Sequence, residues 1–179
     1  MPTWGWIVVA IVAVAVLAVA LAGAARARRS KQLRGDFGPE YERAVADAPT
    51  RREAEADLAD RRKRHDELDL RPLEPAEARR FADRWSAIQE RFVDDPAGAT
   101  GAAHELLLAV MAARGYSTDE DRRADDLSVD HPELVEHYRA ATAVRDDSDT
   151  ERLREAFVDY RALFGALLQT AGARATNPR

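Results

Sequence analysis

Apolar and polar residues are distributed very unevenly along this chain. From Trp4 to Ala25 there are 22 consecutive residues without a charge, WGWIVVAIVAVAVLAVALAGAA. At about 1.5 Å per helical residue, such a run matches a hydrocarbon core of about 30 Å. No polar stripe interrupts it, whereas a helix packed in a soluble core keeps one. The run predicts a transmembrane helix. Trp4 and Trp6 stand at its start, where indole rings favour the membrane–water boundary. Arg26, Arg28, Arg29, Lys31 and Arg34 follow its end, and the N-terminal flank has no basic side chain. Basic flanks stay on the cytoplasmic side, so the expected topology is N-terminus outside, the remainder in the cytoplasm. These seven residues form the expected membrane-anchoring set, with the lipid bilayer as partner. A cleaved secretory signal is the alternative, because Ala20-Leu21-Ala22 and Ala22-Gly23-Ala24 are small-x-small patterns. A signal, however, carries its positive charge before an apolar core of about 7–15 residues, and this run reverses the first feature and exceeds the second.

Past the anchor the periodicity is helical and no strand pattern occurs. The stretch Arg34-Gly35-Asp36-Phe37-Gly38-Pro39 predicts a turn that breaks the first helix. Pro39 suits the first position of a new helix through Ala48, with Tyr41 and Val45 on one face. Thr50-x-x-Glu53 is a capping-box pattern opening a very polar helix through about Leu68. With only Leu58 and Leu68 as large apolar residues, that helix is expected to be solvated, to project, or to pair by charge. Leu70 to Pro75 reads as an extended connector. Three strong stripes follow. Phe81, Trp85, Ile88 and Phe92 make the first, and Ala103, Leu106, Leu107, Val110 and Met111 the second, between an Asp95 cap and a Gly115 stop. Leu153, Phe157, Tyr160, Phe164 and Leu167 make the last. Between them, Tyr116 to Asp130 is irregular, with a short helix expected near Asp119 to Arg123. Ser128-Val129-Asp130-His131-Pro132 reads as the cap of a helix carrying Leu134, Val135, Tyr138, Ala141 and Val144. Asp146 to Thr150 reads as a turn. The expected class is all-α: one N-terminal transmembrane helix, then a polar helix and a small antiparallel helical bundle. The expected division is 1–34 anchor with basic flank, 35–73 polar helical linker, 74–170 bundle and 171–179 disordered tail.

Charge sharpens this division. The chain is formally −5 while its first 34 residues are +5, which leaves −10 on the remainder. So acidic a domain argues against nucleic-acid binding, which needs clustered cations. From Ser117 to Glu151 the local charge is −8, suited either to solubility or to a basic protein partner. The run Arg61-Arg62-Lys63-Arg64-His65 is flanked by Asp57, Asp60, Asp66 and Glu67, and a solvated face is favoured over lipid headgroup binding. Cysteine is absent, which removes disulfides, thiolate nucleophiles and thiolate metal ligands. No phosphate loop, dinucleotide fingerprint or nucleophile elbow occurs. His131, Glu133 and His137, with Asp130, are the nearest approach to a metal-ligand cluster, but Glu133 and His137 at i,i+4 lack a third convergent ligand. His104 is expected at the surface or in a cap. No catalytic, cofactor-binding or metal residue and no small-molecule substrate is therefore expected, and the chain is not expected to be an enzyme.

The strings Phe37-Gly38-Pro39-Glu40-Tyr41, Arg61-Arg62-Lys63-Arg64-His65-Asp66-Glu67-Leu68, Phe92-Val93-Asp94-Asp95-Pro96, Arg114-Gly115-Tyr116 and Leu127-Ser128-Val129-Asp130-His131-Pro132 span most of the region after the anchor. They resemble an uncharacterised family of small actinobacterial membrane or secreted proteins. The resemblance implies a helical domain behind one N-terminal span and supplies no catalytic residue. Together these features lead to the expectation of a membrane-tethered helical interaction or scaffold domain; the alternatives are a cleaved and secreted helical protein and, least favoured, a metal-dependent enzyme using Asp130, His131, Glu133 and His137.

Overall fold

A computed structural model describes residues 3–144 and 149–173. Among these residues the chain is helical, with no strand. It divides into two compact units, Met1–Leu58 and Ala59–Arg179.

In the first unit, α1 runs from Thr3 to Phe37, 35 residues without a break. The turn expected from Arg34 is confined to a single residue, Gly38. Gly35 stays helical because a lone glycine in a helix costs only about 1 kcal/mol against alanine. Gly38 takes φ 47, a backbone angle suited to glycine, and its N–H bonds the Arg34 carbonyl at 3.1 Å. Pro39 then occupies the first turn of α2, Pro39–Asp47. The basic flank is consequently part of one rigid rod with the apolar run. Helix α3, Arg51–Asp66, begins where the capping pattern places it, with Thr50 Oγ1 accepting from the Glu53 N–H at 3.2 Å. Leu33, Phe37, Tyr41, Ala54 and Leu58 are buried. The boundary between the units falls inside α3.

The second unit contains the end of α3 and five further helices: α4 (Pro75–Arg91), α5 (Pro96–Arg114), α6 (Glu120–Asp130), α7 (Val135–Ala143) and α8 (Thr150–Ala173). Caps read from sequence recur at α5. Asp95 accepts from the Gly98 N–H at 2.9 Å, and Gly115 at φ 93 ends the helix while the Tyr116 N–H reaches the Met111 carbonyl at 3.0 Å. A side chain at Gly115 would also collide with the Asp69 carbonyl. Asp149 caps α8, accepting from the Glu151 N–H at 2.9 Å.

Helix α8 packs against α5 and α7, and α4 against α5. The core holds Leu106, Leu107, Val110 and Met111 of α5 with Tyr160, Leu163, Phe164 and Leu167 of α8. Each such side chain contributes about 1.5–3 kcal/mol when buried. Trp85 stacks on Phe157 and on Phe164, both at 5.1 Å, and Phe92 meets Phe157 at 4.4 Å. This register runs α4 antiparallel to α8. Helix α5 runs in the same direction as α8, because His104 meets Tyr160 and Arg114 meets Leu167.

Three local expectations are corrected. Residues 120–130 form one regular helix, so Ser128, Val129 and Asp130 close α6 and do not cap the next helix; α7 starts only at Val135, after a turn at 132–134. Leu127 explains the difference, because as a fully buried residue it anchors α6 in the core. The polar α3 ends at Asp66, two residues early. Helix α8 extends to Ala173, into the stretch read as tail. Residues 174–179 of that tail, and 146–148 of the expected turn, lie outside the described residues.

Candidate membrane-interface site

The first unit presents an apolar surface that no described residue covers. Within α1 an apolar window long enough to cross a membrane has mean hydropathy 2.9 and is 0% buried. Trp4 is 73% exposed, Trp6 77% and Val19 74%. By length and composition such a helix suits a membrane span or a signal sequence.

The end of this run meets α2 and α3 through a buried carboxylate. Glu55 Oε1 accepts from Ser30 of α1 at 2.6 Å, Tyr41 of α2 at 2.8 Å and Arg51 of α3 at 2.8 Å. Burial alone pushes the Glu55 pKa up, but these three donors outweigh it and hold the carboxyl at about 2. Burial and the same carboxylate raise the Tyr41 hydroxyl. Arg34 and Arg51 lie over the Tyr41 ring at 5.0 and 5.9 Å, and Arg34 pairs with Glu42 at 3.0 Å.

The seven residues expected to anchor the chain fall into distinct groups. Trp4 and Trp6 are exposed at the start of the apolar run. Arg34 is committed to Glu42 and Tyr41. Arg26, Arg28, Arg29 and Lys31 are exposed and make no ion pair among the described residues. Two open clefts flank α1. One, of about 720 Å³, is lined by Arg26, Ser30, Lys31, Arg34 and Arg51 among others. The second, of about 560 Å³, is lined by Ala25, Arg26, Arg29, Arg52, Glu55 and Ala56. Arg28 lines neither. Sequence reading missed Arg51, Arg52 and Glu55. A usable signal was present: α2 is too short to carry the chain far, so the first turn of α3 returns beside the end of α1.

In the second unit, Arg61, Arg64 and His65 of the basic run face acids of α6, while Lys63 is exposed. Arg61 Nη1 lies 2.8 Å from Asp125 Oδ1, and Arg64 Nη2 lies 3.3 Å from Oδ2. Asp126 accepts from the Ser117 N–H at 3.1 Å, and burial raises its pKa. Asp130 Oδ2 accepts from the Tyr116 hydroxyl at 2.7 Å and lies 3.1 Å from His65 Nε2. The His65–Asp130 contact is an ion pair when the imidazole is protonated. Three acids of the −8 stretch are thus spent on internal contacts. Burial pushes Asp130 up, but His65 and Tyr116 prevail and hold it at about 2. Asp130 in turn raises His65 against the effect of burial.

A pH dependence follows from this pair. Asp130 stabilises the fold above its ordinary value of 3.8 and loses that contribution as pH falls towards about 2. His65 has the opposite sign: its contribution is complete below 6.5 and is lost as pH rises through the raised folded value. Full stabilisation by the pair therefore spans about pH 4 to 6.5. Hydrogen exchange of α6 in the full chain is expected to lose about 1–2 kcal/mol of protection above that window. His65→Gln removes the alkaline loss; an α6 profile with the same loss in His65→Gln would refute the pairing.

The remaining histidines fall apart as a cluster. His104 is 2% exposed, not at the surface, and its Nδ1 lies 3.2 Å from the Tyr160 hydroxyl. His137 Nδ1 pairs with Asp159 Oδ1 of α8 at 2.6 Å, and His131 Nδ1 lies 3.6 Å from Glu133 in the turn before α7. Glu133 is therefore not on the helix of His137. No group of three or more metal-ligating side chains assembles among the described residues. No family model matches this chain, no curated protein matches it, and no solved structure matches it.

Proposed function

We propose that this chain is a single-pass membrane-tethered helical interaction domain. Its N-terminus lies outside and its helical bundle acts as an adaptor or scaffold at the cytoplasmic face. One observation carries the reading: the uncovered apolar surface of α1, followed by the exposed cations Arg26, Arg28, Arg29 and Lys31 on the same rod. An apolar surface of this extent in water is unstable, whereas a bilayer buries it. The basic flank favours the cytoplasmic side. The net acidic charge after the anchor favours a basic protein partner over nucleic acid. The resemblance to small actinobacterial membrane or secreted proteins fits either this placement or the secreted alternative.

A cleaved, secreted helical protein is the second reading, favoured by Ala20-Leu21-Ala22 and Ala22-Gly23-Ala24. The test of the interaction role uses photo-crosslinking in cells from Val93, which is 83% exposed, and from the largely exposed Glu133. The full chain is expected to give discrete crosslinked species that disappear when the span is disabled by Val14→Arg with Leu17→Arg. Crosslinks that are absent, or the same with and without membrane attachment, would contradict the reading.

A further inference from the structure

The cations beside the end of the apolar run exceed what the protein itself neutralises. We propose that the cleft lined by Arg26 and Arg29 of α1 and Arg52 of α3 binds the phosphate of an anionic phospholipid headgroup. The inference rests on the reading that α1 spans a bilayer. Three observations carry it. The cleft, about 560 Å³ and open to solvent, has three guanidinium groups in its lining. None of the three makes an ion pair among the described residues. The one carboxylate in the lining, Glu55, already accepts from Ser30, Tyr41 and Arg51 on a single oxygen.

Depth supports the same site. Ala25 is the last residue of the uncharged run and itself lines the cleft. A helix whose apolar run fills the hydrocarbon core places this cleft at the level of the headgroups. Arginine suits that place, because its planar fork bonds two phosphate oxygens at once and is weakly hydrated. Arg52 separates a shaped site from a diffuse basic flank. It comes from a different helix, outside the membrane-flanking sequence, and α3 is held against α1 by the Glu55 bonds. Arg28, next in sequence to Arg29, lines neither cleft and serves as the control.

The test is native mass spectrometry of the full chain in mixed micelles holding phosphatidylglycerol and phosphatidylcholine, with competition by inorganic phosphate. Retained phosphatidylglycerol is expected to exceed phosphatidylcholine. Arg52→Gln is expected to lower that retention about fivefold, equivalent to about 1 kcal/mol. Arg28→Gln, which removes charge from the basic flank only, is expected to lower it by less than about twofold, and inorganic phosphate is expected not to displace the lipid. Equal losses in Arg52→Gln and Arg28→Gln would overturn the site in favour of diffuse charge. No loss in Arg52→Gln would overturn it outright, and displacement by inorganic phosphate would assign the cleft to a soluble phosphate compound instead. Arg52 is exposed, so these variants fold, as circular dichroism would verify. Extraction of the full chain from phosphatidylglycerol vesicles by alkaline carbonate would instead defeat the spanning reading itself. A chain that resists extraction but shows no headgroup preference defeats only the cleft.

Discussion

Val14→Arg combined with Leu17→Arg is expected to release the chain from the membrane fraction. Both positions lie in the middle of the uncharged run, and their side chains are 66% and 59% exposed. Neither contributes to the packing of α2 or α3, so the substitutions act on the surroundings of α1 and not on its internal contacts. Each arginine at the centre of a spanning helix costs about 2.5–3.5 kcal/mol on insertion scales, so the pair costs about 5–7 kcal/mol. A run rich in alanine and valine has little reserve against that penalty, since each valine contributes only about −0.3 to −0.6 kcal/mol. Fractionation followed by alkaline extraction checks the outcome, and Val14→Leu with Leu17→Ile keeps the chain membrane-bound. Retention of the double-arginine variant in the extracted membranes would show that α1 is not what holds the chain there.

Tyr160→Ala is expected to destabilise the second unit strongly. Tyr160 is fully buried in α8, and its hydroxyl donates to the Ala141 carbonyl of α7 at 3.1 Å. With that proton committed, its oxygen accepts from His104 Nδ1 of α5, which assigns the proton of His104 to Nδ1. One side chain thereby joins three helices. Truncation leaves a cavity, an imidazole without this partner and a carbonyl without this donor. The cost is about 4–5 kcal/mol, a large part of the 5–15 kcal/mol that sustains a domain. Tyr160→Phe keeps the volume and removes only the hydroxyl, for about 1–2 kcal/mol. Hydrogen exchange of α5, α7 and α8 in the full chain measures both. Equal effects of the two substitutions would mean that the hydroxyl, not the ring, carries the energy.

Much of the fold is legible in the chain because its strongest signals are local. The uncharged run, the Asp95 and Gly115 boundaries of α5, and the stripes of α4, α5 and α8 each depend on residues within one helix. The failures share a different cause. Gly35 and Ser128 look like breakers or caps in isolation, yet both stay helical: a lone glycine costs too little to break α1 before Gly38, and Leu127 binds α6 to the core. His104 looks like a surface histidine until Tyr160, distant in sequence, supplies a buried partner. Arg61, Arg64 and His65 are the same case, because the carboxylates they meet, Asp125 and Asp130, lie on another helix. The candidate site divides along this line. Its α1 cations follow from sequence alone, whereas Arg52 and the Glu55 junction require knowing that α3 returns beside α1.

The central claim is that α1 crosses the membrane once and leaves the bundle inside. The chain has no cysteine, so a single introduced thiol reports its own compartment. Val93→Cys, at a position 83% exposed on the second unit, is the suitable site. With a membrane-impermeant maleimide the account predicts no labelling in intact cells and full labelling after permeabilisation, on a chain that still carries residues 1–25. Labelling in intact cells, or a mature chain beginning near Ala25, would contradict it.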